Sequence, residues 1–560
     1  MRANKLAMIL LALIMVTVVA ACSKGGSPSS SNNGGSAGQG TELGDENSKN
    51  SKTNTNTEKT SYVNMEGFPI VNETIQLKFL APGTPTPDWN DVLVFNEYEK
   101  MTNMDIQWEM VAGDALAERR NLILSSGNYP DAFHSAGFSV SDLINYGQMQ
   151  GIFIPLNDLI DKYAPNFKKL LDENPDLKRG LTMPDGNIYS FPRVFDPNFT
   201  SVLAGWKLWI NNDFLKALNM EEPDTLDKFY NYLKAVKSTD LNGDGQLNEV
   251  PLAVSDDYRI NIILRGAFGL GNRGVMHYFV DMHPEKNELR FIPTDPRYKE
   301  LLQYIHKLYA EGLINEDLYT VTSEQTYARA TEGLFGAVIV TNPRTSYNQE
   351  NFIGAQVMAG PYGDRLYADV KSSLANPGTF VITDKNPYPE ATVRWIDYFY
   401  GEEGMKLFFM GVEGVTYEEK PDGTLVYTDL IENDPNGLTR NDAISKYMTW
   451  RNGAYPSIVN EKYFNGSEGQ PDSIEAAKKL EPYFPKEVWA PFSFTLEENE
   501  FMSTTGADIQ NYVEEMEAQF ITGRTSFDQW DNYVSTLEKM GLAKYMEIYN
   551  AAYKRYQQNL

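Results

Sequence analysis

The chain has 560 residues, 76 of them acidic against 49 basic, for a formal net charge of −27 at pH 7. Such a surface disfavours nucleic acid and anionic lipid as partners, because both need clustered Lys and Arg to release counterions. A single cysteine leaves no partner for an internal disulfide and no thiols for a metal cluster.

The sequence opens MRANK, with two positive charges, and continues with an apolar run of 16 residues from Leu6 to Ala21. That run is short for a membrane span and suits the core of a secretory signal. It ends Val19-Ala20-Ala21-Cys22, which resembles a bacterial lipobox. The resemblance implies that residues 1–21 are a lipoprotein signal peptide and that Cys22 becomes the diacylated, palmitate-bearing first residue of the mature chain. An ordinary signal peptide with a chance cysteine is the alternative. Loss of Arg2 and Lys5 with the signal takes the charge from −27 to −29.

From Ser23 to Thr60 only Ala37 and Leu43 are apolar, in a background of Ser, Asn, Gly, Thr and Lys. Nothing there offsets the entropy of ordering the chain, so residues 22–60 are predicted to form a disordered tether. The remaining 500 or so residues exceed what one core usually supports, and two lobes are expected.

The body begins with a strand: Ile75, Leu77 and Phe79 alternate with polar residues and lead to APGTPTPDW. A helix with Val92, Leu93, Phe95 and Tyr98 follows, then a strand with Met104, Ile106, Trp108 and Met110. A helix from Leu116 to Ser125 and the loop SSGNYPDAF lead to a third strand. This β-α-β-α-β order predicts a mostly parallel sheet, with ligands beyond the carboxyl ends of its strands, near Trp89 and His134. After GNIYSFPRV comes GWKLWINNDFLKALNMEEPDTLDKFYNYLKAVKSTD, in which Thr225 is an N-cap and Leu226, Phe229, Tyr230, Leu233 and Val236 share a helical face.

The loop TDLNGDGQLNEVP places Asp240, Asn242, Asp244 and Gly245 at the first, third, fifth and sixth positions of an EF-hand, but Pro251 stands where the bidentate Glu belongs. An Asx-turn loop without an ion is the alternative. YKELLQYIHKLYAEGLI reads as an amphipathic helix, LFGAVIVTNP as a buried strand, and GTFVITDKNPYPEATVRWIDYFYGEEGMKLFFMG as a strand and two helices returning to the first lobe. The end, from Phe520 to Tyr556, is helical apart from breaks at Gly523 and Gly541.

The order of lipobox, polar tether, βαβ start, SSGNYPDAF, PDTLDKFYNYLKAVK, the D-x-N-x-D-G-x-x-N-E loop and the closing YVSTLEKMGLAKYMEIYNAAYKRY resembles the extracellular solute-binding proteins of carbohydrate ABC transporters. Within them it is similar to the LplA-like lipoproteins and to alginate-oligosaccharide-binding proteins. The resemblance implies an α/β, two-lobed periplasmic-binding-protein-like (type II) fold with hinge crossings and a helical C-terminal region. It also implies a non-enzymatic monomer that closes on a carbohydrate and hands it to ABC permease transmembrane subunits, held at the extracellular face of the cytoplasmic membrane through its lipid anchor. Lobe one is expected over 61–195 plus 372–412 and lobe two over 196–371 plus 413–560. The resemblance further implies a structural Ca2+ held by Asp240, Asn242, Asp244, the Gln246 carbonyl, Asn248 and Glu249, the last replacing the missing glutamate.

Sugar sites combine aromatic platforms with polar side chains. Trp89, His134, Tyr189, Arg193, Trp206 and Trp450 are the candidate contacts, whereas Trp395 and Trp530 lie on amphipathic helices and read as core. Arg193, Arg344 and Arg451 leave an acidic oligosaccharide open. The rival functions are a surface-anchored glycoside hydrolase or lyase and a binding lipoprotein serving a sensor system. For an enzyme the body from residue 61 onward offers no G-x-S-x-G and no H-E-x-x-H, and His134, His277, His283 and His306 have no metal spacing.

Overall fold

The computed structural model describes residues 62–83, 87–255, 257–438, 440–450 and 455–558. Cys22, the signal and the tether lie outside them, as does Arg451.

The opening elements form as their periodicity predicts. Strand β1 (Ile75–Pro82) alternates buried and exposed side chains over its first half and pairs in parallel with β2 (Met104–Val111), Ile75 opposite Met104. Parallel neighbours need a crossover, supplied by the helix Leu93–Thr102. Asn103 ends that helix in the left-handed region at φ 61°, which Asn tolerates better than most residues. Helix Leu116–Ser126 leads to β3 (Ala132–Phe138), parallel to β1 on its other edge.

After β4 (Phe191–Phe195) the chain enters a second sheet. Its strands are β5 (Lys207–Asn211), β6 (Val250–Ala253), β7 (Phe335–Val340) and β8 (Phe352–Gly354), in the order β8-β5-β7-β6. Every side chain of β5 and β7 is buried, so both faces of this sheet are covered, as the continuous apolar run LFGAVIV predicts. Helix Leu226–Lys237 covers it with Leu226, Phe229, Tyr232, Leu233 and Val236, and the Thr225 hydroxyl caps it by accepting from Lys228 N at 3.2 Å. Tyr230, expected on the same face, instead reaches Glu311 with its hydroxyl at 2.7 Å.

The chain returns to the first sheet with β9 (Leu374–Ile382), antiparallel to both β3 and β4, and β10 (Ile458–Val459), parallel to β4. The order is β10-β4-β9-β3-β1-β2. Here the structure corrects the sequence reading, which assigned 413–560 to lobe two. Tyr417, Tyr427, Ile431, Ala443, Ile444, Met448, Trp450, Val459 and Phe464 bury into the same core as β1 and β9. The reason is apolar continuity: Phe409 packs on Trp450, Tyr455 and Phe464, so the segment after residue 412 stays where its aromatic face is covered. The third passage to lobe two therefore follows Phe464. From Ala476 onward the chain packs with the second body, and helices Ala507–Ile521, Trp530–Met540 and Leu542–Gln558 enclose its core. Gly541, at φ 109°, marks the break between the last two.

The segments joining the bodies meet in a small cluster of Ala204, Val357, Tyr367, Val370, Ala477 and Leu480. Tyr367 donates its hydroxyl to the carbonyls of Ala204, at 2.7 Å, and of Trp206, while the Asp369 carboxylate accepts the Trp206 amide at 2.9 Å. The first and second crossings are thus pinned together at one point. Among the described residues no helix is long and apolar enough to cross a membrane.

Candidate functional site

A groove of about 800 Å³ opens between the two bodies. Lobe two contributes Ser255 and Arg259, the start of helix Ser323–Thr331, and the segment from Thr341 to Tyr347; lobe one contributes Arg440, Trp450, Tyr455 and Phe464. A neighbouring groove of about 790 Å³ shares Tyr327, Thr345, Ser346, Arg440 and Asn441 with it, so the two form one continuous trough.

Local folding rules place these groups. Thr322 and Gln325 form a reciprocal capping box that starts the helix Ser323–Thr331 and fixes Ser323, Glu324 and Tyr327 along the trough. Asn342 caps the helix Pro343–Tyr347 by accepting from Thr345 N at 3.0 Å. Its buried amide also donates to Asp472 and Ser473, each at 2.8 Å, which anchors this wall to the third crossing.

The charged groups of the trough are mostly paired. Arg440 holds Glu432 with its Nε at 3.0 and 3.1 Å from the two carboxylate oxygens and lies over the Tyr427 ring. Arg344 bonds Glu350 and stands 3.7 Å from Asp472. Arg259 stacks its guanidinium 3.8 Å from the centre of the Trp206 ring and donates to the Ser255 hydroxyl.

The six predicted contacts separate into two groups. Trp450 lines the trough from the edge of the lobe-one core, 4% exposed, with its indole nitrogen donating to Phe409 O at 3.1 Å. Trp206 lies behind Arg259, and Arg193 lies behind Tyr455, over whose ring it stacks at 4.7 Å. These three converge on one site. The other three do not. Trp89 is 0% exposed and packs 5.1 Å from Trp108 and 5.5 Å from His134. Its loop turns inward because Asp88 caps the short helix Trp89–Asp91 and tucks the indole under the sheet. His134 is enclosed by Trp89, Phe95, Trp108 and Phe380, and burial pulls its pKa down to about 3. Tyr189 is buried against Gly147 and donates to Asp185 at 2.6 Å. The solute roles expected for these three are replaced by core packing, since a strand's carboxyl end can be covered by its own lobe.

Arg259, Tyr327, Tyr347, Arg440, Tyr455 and Glu468 line the trough without having been singled out. Their signal in the sequence is membership of polar, aromatic-bearing stretches such as TSEQTY, which are too common to select them.

The metal loop differs from a converging cage. Asp240 accepts from Gly243 and Gly245, at 2.7 and 2.9 Å, and Asp244 from Gln246 at 2.8 Å and from the Asn242 and Asn248 amides. No three His, Cys, Asp or Glu side chains come together as metal ligands among the described residues. Glu249 is nevertheless buried, with one oxygen accepting from Leu241 and Asn242 and the other lacking any hydrogen-bond partner. An orphaned buried carboxylate oxygen beside a turn rich in oxygen donors fits a hard cation.

Residues 85–406 match the family described as bacterial extracellular solute-binding protein. The fructooligosaccharide ABC transporter substrate-binding protein FusA of Streptococcus pneumoniae serotype 4 is 30% identical over 528 residues, covering 90% of this chain and 95% of its own. The polygalacturonan/rhamnogalacturonan-binding protein YtcQ of Bacillus subtilis is 23% identical, over 82% of this chain and 87% of its own. Solved structures of S. pneumoniae FusA, one in complex with kestose and one an EF-hand mutant in complex with fructo-nystose, superpose with a TM-score of 0.73 at 29% identity, over 87% of this chain and 100% of theirs. The chain therefore belongs to the bacterial extracellular solute-binding protein family, and is a binding protein, not an enzyme.

Proposed function

We propose that this protein captures an oligosaccharide by closing its two lobes and delivers it to ABC permease transmembrane subunits. The observation that carries the reading is the trough itself. It is flanked by both cores and lined by Tyr327, Tyr347, Trp450 and Tyr455 among Ser, Thr, Asn and carboxylate side chains. Aromatic faces take the apolar faces of pyranose or furanose rings, and the polar groups take their hydroxyls. A solute that touches both walls binds the closed form better and shifts the population toward it. FusA, named for fructooligosaccharides, makes a short fructan the first solute to try. Titration calorimetry with kestose and nystose tests this, with sub-millimolar binding expected; no heat from these or from other oligosaccharides of three to six units would overturn it.

The finer parts of the proposal rest on the sequence. Cys22 carries diacylglycerol, the tether spaces a monomeric body from the outer face of the cytoplasmic membrane, and mass spectrometry of the mature N-terminal peptide reads the modification. The loop from Asp240 to Glu249 holds a structural Ca2+ through Asp240, Asn242, Asp244, the Gln246 carbonyl, Asn248 and Glu249. In support, Glu249 has its orphaned oxygen, and an EF-hand mutant was made of the FusA relative. Bound there, the ion would supply fixed positive charge to a helix–strand junction whose Asn242 amide donates at 3.3 Å to Glu332 O, at the end of the helix Ser323–Thr331. In this reading Arg193 and Trp206 support the trough through Tyr455 and Arg259, and Trp89, His134 and Tyr189 serve the lobe-one core.

A further inference from the structure

We infer that the trough selects an uncharged oligosaccharide and rejects uronate-bearing ones, with Glu324 and Glu468 as the specificity-determining groups. This inference rests on the solute-binding reading above and narrows it to one chemical class.

Among the described residues the two connected grooves are lined by three arginines, Arg259, Arg344 and Arg440, and by three carboxylates, Glu324, Glu432 and Glu468, with no lysine or histidine. A uronate is recognised by a guanidinium or ammonium whose donors are available to it, best in a bidentate fork. Arg440 already spends its Nε on both oxygens of Glu432, and a further nitrogen donates to Asn465 O at 3.3 Å. Arg344 is held between Glu350 and Asp472. Arg259 lies over the Trp206 ring and donates to Ser255. Counting Glu350 and Asp472, which hold Arg344, five carboxylates stand against the three guanidiniums of the lining, while Arg193, outside the lining, stacks on Tyr455 and bonds Asn376 with its Nε left without a partner.

Among the described residues Glu324 and Glu468, unlike Glu350, Glu432 and Asp472, stand in no ion pair within 4 Å, and Glu468 acts at longer range on the buried Lys207 ammonium. A carboxylate facing a groove is a pure acceptor and suits ligands rich in hydroxyl donors. Toward a ligand carboxylate within the screening length of about 10 Å it is repulsive, and the net charge of −27 adds to the repulsion. Hydroxyl-rich, neutral chains satisfy every feature at once.

The test is titration of the full mature protein with two sets of probes of equal length. One is a neutral panel of fructose, glucose, galactose and mannose tetramers; the other is a galacturonic acid tetramer. At least one neutral tetramer is expected to bind about 100-fold tighter than the galacturonate, because like-charge juxtaposition costs several kcal/mol. Galacturonate binding as tight as, or tighter than, every neutral tetramer overturns the inference and leaves the solute-binding reading standing. Failure of both sets overturns both. Variants locate the cause. Glu468→Gln and Glu324→Gln should each weaken the neutral ligand roughly tenfold, the loss of a charged hydrogen bond. Glu432→Gln should release Arg440 and raise galacturonate affinity in a manner that added salt abolishes. An unchanged neutral-to-galacturonate ratio in all three variants would remove the assignment to these carboxylates. Circular dichroism melts confirm that each variant is folded.

Discussion

An imidazole enclosed by Trp89, Phe95, Trp108 and Phe380 has no route to hydrating water, so protonation inside the fold is resisted by the full cost of burying a charge. His134 accordingly titrates near 3 in the folded chain, and His277, buried against Phe492 with one ring nitrogen at 3.1 Å from Ala490 O, near 4. Both lie below the 6.5 of a free histidine, so between those values the unfolded chain binds more protons than the folded one. Stability carried by these residues is full above pH 6.5 and falls as the solution is acidified toward 3 to 4. His134→Leu should lose less stability than the parent between pH 7 and pH 4.5, by about 2 kcal/mol, whatever it costs at neutral pH. Urea midpoints at the two pH values measure the difference. The same residue shows why sequence reading failed here: a histidine after a strand looks alike whether it faces solvent or a ring of aromatics, and only the tertiary packing of Trp89 over it decides.

At the scale of elements, the loop between helix Leu226–Lys237 and β6 links the second lobe's cover to its sheet. The loop carries positive φ at Gly243 and Gly245, near 80° and 84°, positions where a β-carbon would strain the turn. Removing Ca2+ with a chelator should lower the melting temperature by about 3 to 8 °C, as expected when a ligand of the native state is withdrawn. Glu249→Ala should melt lower and no longer respond to the chelator; a melt indifferent to chelator in the parent would argue that the loop is held by its own Asx turns. The place of this loop between a helix and a strand was legible in the sequence, because its Asp, Asn and Gly residues are local turn signals. So were β1 to β3 and the helix from Thr225, where periodicity and caps are local properties. The boundary after residue 412 was not, since nothing local tells an aromatic segment which of two cores it will cover. The trough residues were illegible for a related reason. Tyr327, Tyr455 and Glu468 are distant in sequence and acquire a joint role only when the third crossing brings them together.

For the whole molecule, the pinning of Ala204 and Trp206 by Tyr367 and Asp369 locates the hinge. Burial raises the Asp369 carboxyl to about 6 and lowers the nearby Lys207 ammonium to about 8. Tyr367→Phe deletes a hydroxyl that two carbonyls share, and should cost about 1 to 2 kcal/mol at a buried hydrogen bond. Because the bond ties two crossings rather than one body, part of that loss should appear as a wider spread of lobe separations in solution scattering without solute. Saturating oligosaccharide should restore the compact profile. An identical profile for parent and variant would show that the hinge draws its stiffness elsewhere, from the apolar cluster around Val357 and Leu480.

The late return of residues 417–464 to the first core has a consequence for how the chain is made. Lobe one cannot be completed until Phe464 has emerged, by which time the whole strand set of lobe two, from Lys207 to Gly354, has already been synthesised. A chain made from its N-terminus therefore carries no finished lobe one for most of its synthesis. Both halves receive their missing parts late, Phe464 for the first core and the helices from Ala507 for the second, so the two are completed nearly together.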